Sequence, residues 1–89
     1  MDFEAPLKTG FTIYSKSGCP NCRKVKELLK DKNAAFSVID CDEYLLFEKD
    51  DFLLFIENLA GKKYTTFPMV FHNEAFLGGF AETKDFVEK

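Results

Sequence analysis

The stretch Phe11-Thr12-Ile13-Tyr14-Ser15-Lys16-Ser17-Gly18-Cys19-Pro20-Asn21-Cys22 decides how this chain is read. Phe11 to Tyr14 are β-branched or aromatic and partly alternate apolar with polar, which predicts a strand over 11–15. Ser17-Gly18 breaks it. Pro20 suits a first helical position, because the N–H it lacks is one that a helix start leaves unpaired anyway. Cys22, Val25, Leu28 and Leu29 then recur at helical spacing, with Arg23, Lys24, Lys26 and Lys30 on the opposite face. Cys19 is thereby placed at a helix N-terminus.

Working outward, Asn33 closes this helix, and Phe36-Ser37-Val38-Ile39 reads as a second strand ending at Asp40. Asp50 or Asp51 is the expected cap of a second helix, in which Phe52, Phe55, Ile56 and Leu59 fall at i, i+3, i+4 and i+7 before Gly61 stops it. Residues 43–47 show no decisive pattern. Beyond Pro68, Met69-Val70-Phe71 and Ala75-Phe76-Leu77 form a hairpin around His72-Asn73-Glu74, and Gly78-Gly79 leads into a last helix at about 82–88. The order β-α-β-α-β-β-α predicts an α/β domain spanning 1–89. Its sheet is four-stranded and mixed, with helices on both faces and a right-handed first crossover. Most of the eleven Phe, including those at 52, 55, 67, 71, 76, 80 and 86, are expected in the core.

Composition narrows the function. A net charge of −3 argues against nucleic-acid binding as the main task. The charge is segregated: residues 8–32 carry seven Lys or Arg against two acids, and residues 40–57 carry seven acids against one Lys. Three cysteines, Cys19, Cys22 and Cys41, cannot all pair, as they would in a small disulfide-stapled secreted domain. The first residues are acidic where a signal peptide is basic, and the longest apolar run, Phe52 to Ile56, is too short to span a bilayer. A reducing, cytoplasmic setting without a membrane partner is expected.

A Cys-x-x-Cys pair opening a helix has a chemical use, because the unpaired N–H groups and the positive dipole end favour a thiolate. Cys19 is the expected nucleophile, with Lys16 adding positive charge nearby. Cys22, one turn on and deeper, is the expected resolving thiol. The motif alone serves zinc equally well. A structural zinc site needs four ligands, however, and only Cys41 and His72 remain, at irregular spacing, so no metal is expected. Cys41 reads as a semi-buried small residue, and His72 as a turn residue rather than a base.

The run Lys16-Ser17-Gly18-Cys19-Pro20-Asn21-Cys22, followed by Thr66-Phe67-Pro68 and Gly78-Gly79, resembles the glutaredoxin family from about residue 11 to 88, and the layout resembles a thioredoxin-like fold. The resemblance implies an enzyme of cell redox homeostasis and electron transport: a monomer that exchanges thiols and disulfides with glutathione as co-substrate. Its partners would be disulfide-bearing or glutathionylated proteins, with ribonucleotide reductase one candidate. It also implies a cis bond before Pro68, with the Phe67 backbone pairing with the cysteinyl unit of glutathione. Lys16 would meet the glycine carboxylate. Beyond Gly79, Glu82 would hold the γ-glutamyl amine with help from the Ala81 backbone. Four positions depart from the family pattern: Asn21 replaces an aromatic, Phe67 a small β-branched residue, Phe80 a frequent Cys and Glu82 an Asp. The segment Lys62-Lys63-Tyr64 is lengthened, and either lysine could face the glycine carboxylate. Two related readings stand beside this one: recharging by thioredoxin reductase in place of glutathione, and carriage of an iron-sulfur cluster between two chains.

Overall fold

The structure is a computed structural model and describes residues 2–89. Its elements in chain order are β1 (Phe11–Ser15), α1 (Pro20–Asp31), β2 (Phe36–Asp40), α2 (Asp42–Phe47), α3 (Lys49–Ala60), β3 (Met69–His72), β4 (Ala75–Gly78) and α4 (Phe80–Glu88). The sheet runs β2-β1-β3-β4, with β2 parallel to β1 and the other two pairings antiparallel. This is the expected four-stranded mixed sheet of a thioredoxin-like fold.

All five residues of β1 are buried, including Thr12 and Ser15. A central strand covered on both faces has no solvent side, so its polar residues must also go inside. Alternate residues feed two cores. Phe11 and Ile13, with Val70 of β3, pack with Val25 and Leu29 of α1. Tyr14, with Met69 and Phe71, packs with Phe52 and Ile56 of α3.

The helix ends show why the chain turns where it does. Asn33 adopts φ +55°, its N–H donates to the Lys30 carbonyl at 3.1 Å, and the Ala34 N–H donates to Leu29 at 3.0 Å. That is a left-handed C-terminal cap with Asn where Gly is commonest. Gly61 closes α3 at φ +77°. The two residues between β3 and β4, Asn73 and Glu74, both have positive φ, as a two-residue hairpin turn with the twist of the strands requires. Asn73 is also tied to β1: its side-chain oxygen accepts from the Gly10 N–H at 2.7 Å and its own N–H donates to the Gly10 carbonyl at 2.9 Å.

Several expectations need correction. Residues 42–47 form a helix of their own, α2. Helix α3 begins at Lys49 with Glu48 as N-cap, so Asp50 and Asp51 lie in its first turn, where they face the positive end of the dipole, rather than capping it. Leu59 is exposed and Phe55 only half-buried, so the buried stripe of α3 is narrower than its periodicity implies. Helix α4 starts at Phe80, two residues early, because Glu82 reaches back to the Gly79 N–H at 2.7 Å. His72 belongs to β3, and its ring lies 4.5 Å from that of Phe11. Phe86 is exposed rather than core.

The segment before β1 is strapped down. Phe3 lies edge-on to Tyr44 at 4.9 Å and within 5.5 Å of both Phe52 and Phe55. The Tyr14 hydroxyl donates to the Glu4 carbonyl at 2.6 Å, and the Glu4 N–H donates to the Tyr44 hydroxyl at 3.2 Å. Cys41 is fully buried, its N–H donating to the Ser15 carbonyl at 2.8 Å.

Two tests of the core follow from these contacts. Phe52, fully buried and touching five other rings, should cost about 3–5 kcal/mol of unfolding free energy when changed to Ala, read from urea midpoints. Burial pushes the Cys41 thiol up from its ordinary 9.0 to about 12. The folded thiol thus holds its proton where the unfolded one releases it, so this stabilisation is complete below pH 9 and is lost as pH climbs through 12. Urea midpoints should therefore fall with pH in that window, less steeply in Cys41→Ala; identical slopes would remove the thiol from the account.

Candidate redox site

The site grows from the C-terminal end of β1. Lys16-Ser17-Gly18 leaves the sheet through Gly18 at φ +69° and delivers Cys19 as the N-cap of α1, with Pro20 at the first helical position. Cys19 and Cys22 form a disulfide with their Cα atoms 5.2 Å apart. The Cys22 N–H donates to Cys19 Sγ at 3.1 Å. A sulfur in that place takes a hydrogen bond from a helix-terminal donor that lacks a carbonyl partner, an arrangement that favours negative charge on it. Cys19 is half-exposed and Cys22 fully buried. An incoming disulfide therefore meets Cys19 first, while Cys22 attacks only from within.

The loop that presents Cys19 is held by a residue the sequence reading passed over. Asp42, at the start of α2, accepts from the Ser17 N–H through Oδ1 at 2.9 Å, and the Ser17 hydroxyl donates to its Oδ2. The hydroxyl above all, then the backbone N–H and more weakly Lys16, hold the Asp42 carboxyl below its usual range. Asp40 Oδ1 in turn accepts from the Asp42 N–H at 2.9 Å. The available signal was topological: an acid just past β2 lies at the same sheet end as the loop leaving the parallel strand β1, where sites of α/β folds gather.

The second motif converges on this point. Tyr14 stands opposite Met69, so Phe67-Pro68 lies beside the end of β1 from which the cysteine loop departs. The Phe67-Pro68 bond is cis and Pro68 is fully buried. Phe67 stacks on Phe52, with ring centroids 6.4 Å apart and planes 11° from parallel, and Lys16 Nζ sits 5.5 Å from its ring centre. Lys16, Leu45, Lys49, Leu53, Thr65 and Phe67 line a cleft of about 450 Å³. Lys49 is thus the second cation of the cleft. Lys62 instead lies over Phe76 at 5.8 Å, and Lys63 lines a neighbouring depression.

The third motif is fixed by close approach. Gly78 has φ +132°, and a Cβ there would come within 2.8 Å of the Glu82 side chain. A Cβ on Gly79 would lie 2.9 Å from the Tyr64 hydroxyl and 3.6 Å from the Pro68 carbonyl oxygen, so the glycine lets α4 start against the cis-proline loop. Tyr64, to which the sequence assigns no role, fills this corner with its ring edge-on to Phe76 at 4.9 Å. Glu82 Oε1 is committed to the Gly79 N–H, while Ala81 is exposed at the N-terminus of α4. Lys24 Nζ stands 6.0 Å from the Phe80 ring. Among the described residues no group of three or more His, Cys, Asp or Glu could hold a metal ion, and Cys41 is sealed in the core away from solvent.

Known proteins resemble this chain in sequence and fold. A glutaredoxin family model matches residues 11–77. Glutaredoxin 1 of Rickettsia conorii is 36% identical over 67 residues, which are 75% of this chain and 61% of that protein. The crystal structure of glutaredoxin 1 from Francisella tularensis, complexed with cacodylate, superposes with a TM-score of 0.76 at 26% identity, covering 88% of this chain and 91% of the other. The crystal structure of a buckwheat glutaredoxin-glutathione complex does so with a TM-score of 0.65 at 25% identity, covering 81% and 62%. With its cysteine pair, cis-proline loop and paired glycines brought to one end of the sheet, the chain belongs to the glutaredoxin family.

Proposed function

We propose that the protein is a glutathione-dependent thiol-disulfide oxidoreductase that reduces glutathione mixed disulfides and protein disulfides. The observation that carries this reading is the asymmetry of the pair: an accessible Cys19 sulfur under a helix N-terminus, bonded to a buried Cys22. In the reduced protein the Cys19 thiolate attacks the glutathione sulfur of a mixed disulfide. The substrate leaves as a thiolate, and Cys19 keeps glutathione in a new disulfide. A second glutathione thiolate attacks that sulfur, releasing oxidised glutathione and restoring Cys19. With a protein disulfide, Cys19 forms the mixed disulfide and Cys22 resolves it, leaving the Cys19–Cys22 bond for two glutathiones to reduce.

The cleft offers a seat for the co-substrate. Lys16 and Lys49 face the glycine carboxylate, and the Phe67 backbone before cis-Pro68 pairs with the cysteinyl unit. The γ-glutamyl end meets the start of α4, where Gly79 permits close approach and the Ala81 N–H lacks a helical partner. Glu82 uses one oxygen to cap the helix, which leaves the other for the γ-glutamyl amine. The buckwheat glutaredoxin, solved as a complex with glutathione, supports glutathione as the ligand.

A glutathione-coupled assay separates the roles. Cys19→Ser should abolish turnover of cysteinyl-glutathione, whereas Cys22→Ser should retain it and lose most reduction of protein disulfides; equal losses would refute the division of labour. Lys16→Gln and Lys49→Gln should each raise the glutathione KM roughly two- to five-fold at low salt, as exposed charge pairs do, and the effect should fade as salt rises. A KM that moves in neither variant would detach both lysines from the carboxylate.

A further inference from the structure

The cleft of about 450 Å³ offers a ligand two chemistries, and a glycine carboxylate answers only one of them. Lys16 and Lys49 are cations, Leu45, Leu53 and Phe67 are apolar, Thr65 adds a hydroxyl, and among the described residues no acid lines the cleft. Asp50 and Glu57 belong to the adjoining depression, where Lys63 accompanies them. A carboxylate is therefore drawn into the cleft, to Lys16 and Lys49.

The apolar lining is built and held in place. Leu45 comes from α2, Leu53 from α3 and Phe67 from the segment before cis-Pro68. All three pack against the core that contains Phe52 and Ile56, yet each is only half-buried, and they meet again as lining of this cleft. Phe67 is fixed further by its stack on Phe52, with planes 11° from parallel, and by Lys16 Nζ 5.5 Å from its ring centre. Pre-formed apolar walls with a few placed polar groups are what small-molecule sites are made of.

Glutathione ends in glycine, which brings a carboxylate for the lysines and no side chain for the leucines or the ring. A substituent on the glycine α-carbon would sit one bond from the carboxylate carbon. With the carboxylate held by Lys16 and Lys49, that substituent falls inside the same cleft, where an apolar group removes water from Leu45, Leu53 and Phe67.

We propose that this cleft is a side-chain subsite, and that the protein takes γ-glutamylcysteinyl peptides with an apolar third residue, such as leucine, in preference to glutathione itself. The proposal rests on the glutathione-dependent reading and adds a choice at the third residue that the cysteine pair cannot make. The exchange itself is unaltered. Two peptide thiols are oxidised to one disulfide as the Cys19–Cys22 bond is reduced to two thiols.

Three thiols that differ only in the third residue test it: γ-glutamylcysteinyl-glycine, its leucine analogue and its aspartate analogue. At equal concentrations well below saturation, the leucine peptide should reduce the oxidised protein about five-fold faster than glutathione, and the aspartate peptide no faster, as read by acid quench, alkylation and mass spectrometry. Leu53→Asn and Leu45→Ser should each bring the leucine-to-glycine ratio toward unity. A ratio taken within one variant does not register a general loss of fold or reactivity. The S-methyl forms of the peptides cannot exchange, so their NMR titration reads the seat alone, and the leucine form should bind about five-fold tighter than S-methylglutathione. Turnover with none of the thiols, beside tighter binding of the S-methyl leucine form, would sink the glutathione-dependent reading and uphold the subsite. Equal affinities of the S-methyl glycine and leucine forms would overturn the proposal whether or not glutathione turns over. So would a leucine preference undiminished in both variants, which would place the side chain elsewhere.

Discussion

The structure hangs on β1, five consecutive buried residues that are hydrogen-bonded along both edges and covered on both faces. Its Phe11 and Ile13 belong to one core and its Tyr14 to the other, so the strand fixes the distance between the helix pair α1/α4 and the helices α2 and α3. Because the strand cannot move without disturbing both cores, the loop that leaves its C-terminal end starts from a fixed place. That loop delivers Cys19 to the head of α1. The cis-proline loop enters β3 alongside, and Gly79 lies close against the Pro68 carbonyl of that loop.

A chemical centre made of one disulfide is thus positioned by three kinds of constraint. Packing places β1, a left-handed glycine turns the loop, and the carboxylate of Asp42 holds Ser17 by two hydrogen bonds. The last of these couples the site to α2. The same helix contributes Leu45 to the lining of the cleft, so one short element both steadies the cysteine loop and shapes the approach to it.

Much of this was legible in the sequence. The strand-to-helix switch at Gly18, the helix start at Pro20 and the hairpin after Pro68 each rest on local chemistry that tertiary context reinforces. What escaped depended on contacts across the chain. Residues 42–47 have no amphipathic period because a helix of that length has one turn to show and exposes Leu46 and Phe47. Asp42 looks like any surface acid until β2 brings it to Ser17, and Lys49 looks like a solvated helix lysine until α3 turns it into the cleft with Lys16. Lys62 and Lys63 are close to Phe67 in sequence, yet Lys62 lies over Phe76 and Lys63 lines the neighbouring depression rather than the cleft itself. The sequence marks Glu82 as a ligand group, while one oxygen of its carboxylate serves the backbone three residues before it.

The seating of Phe3 bears on the order in which the molecule assembles. Its ring has no place to go until Tyr44, Phe52 and Phe55 have come together, and the loop it must then close spans some forty residues or more. Loop closure over that length is costly and is repaid only by contacts made after the rest has formed. The strap is therefore a late event in folding. Weakening it would hasten unfolding more than it slows folding, so this short N-terminal segment contributes to how long the native state persists once formed.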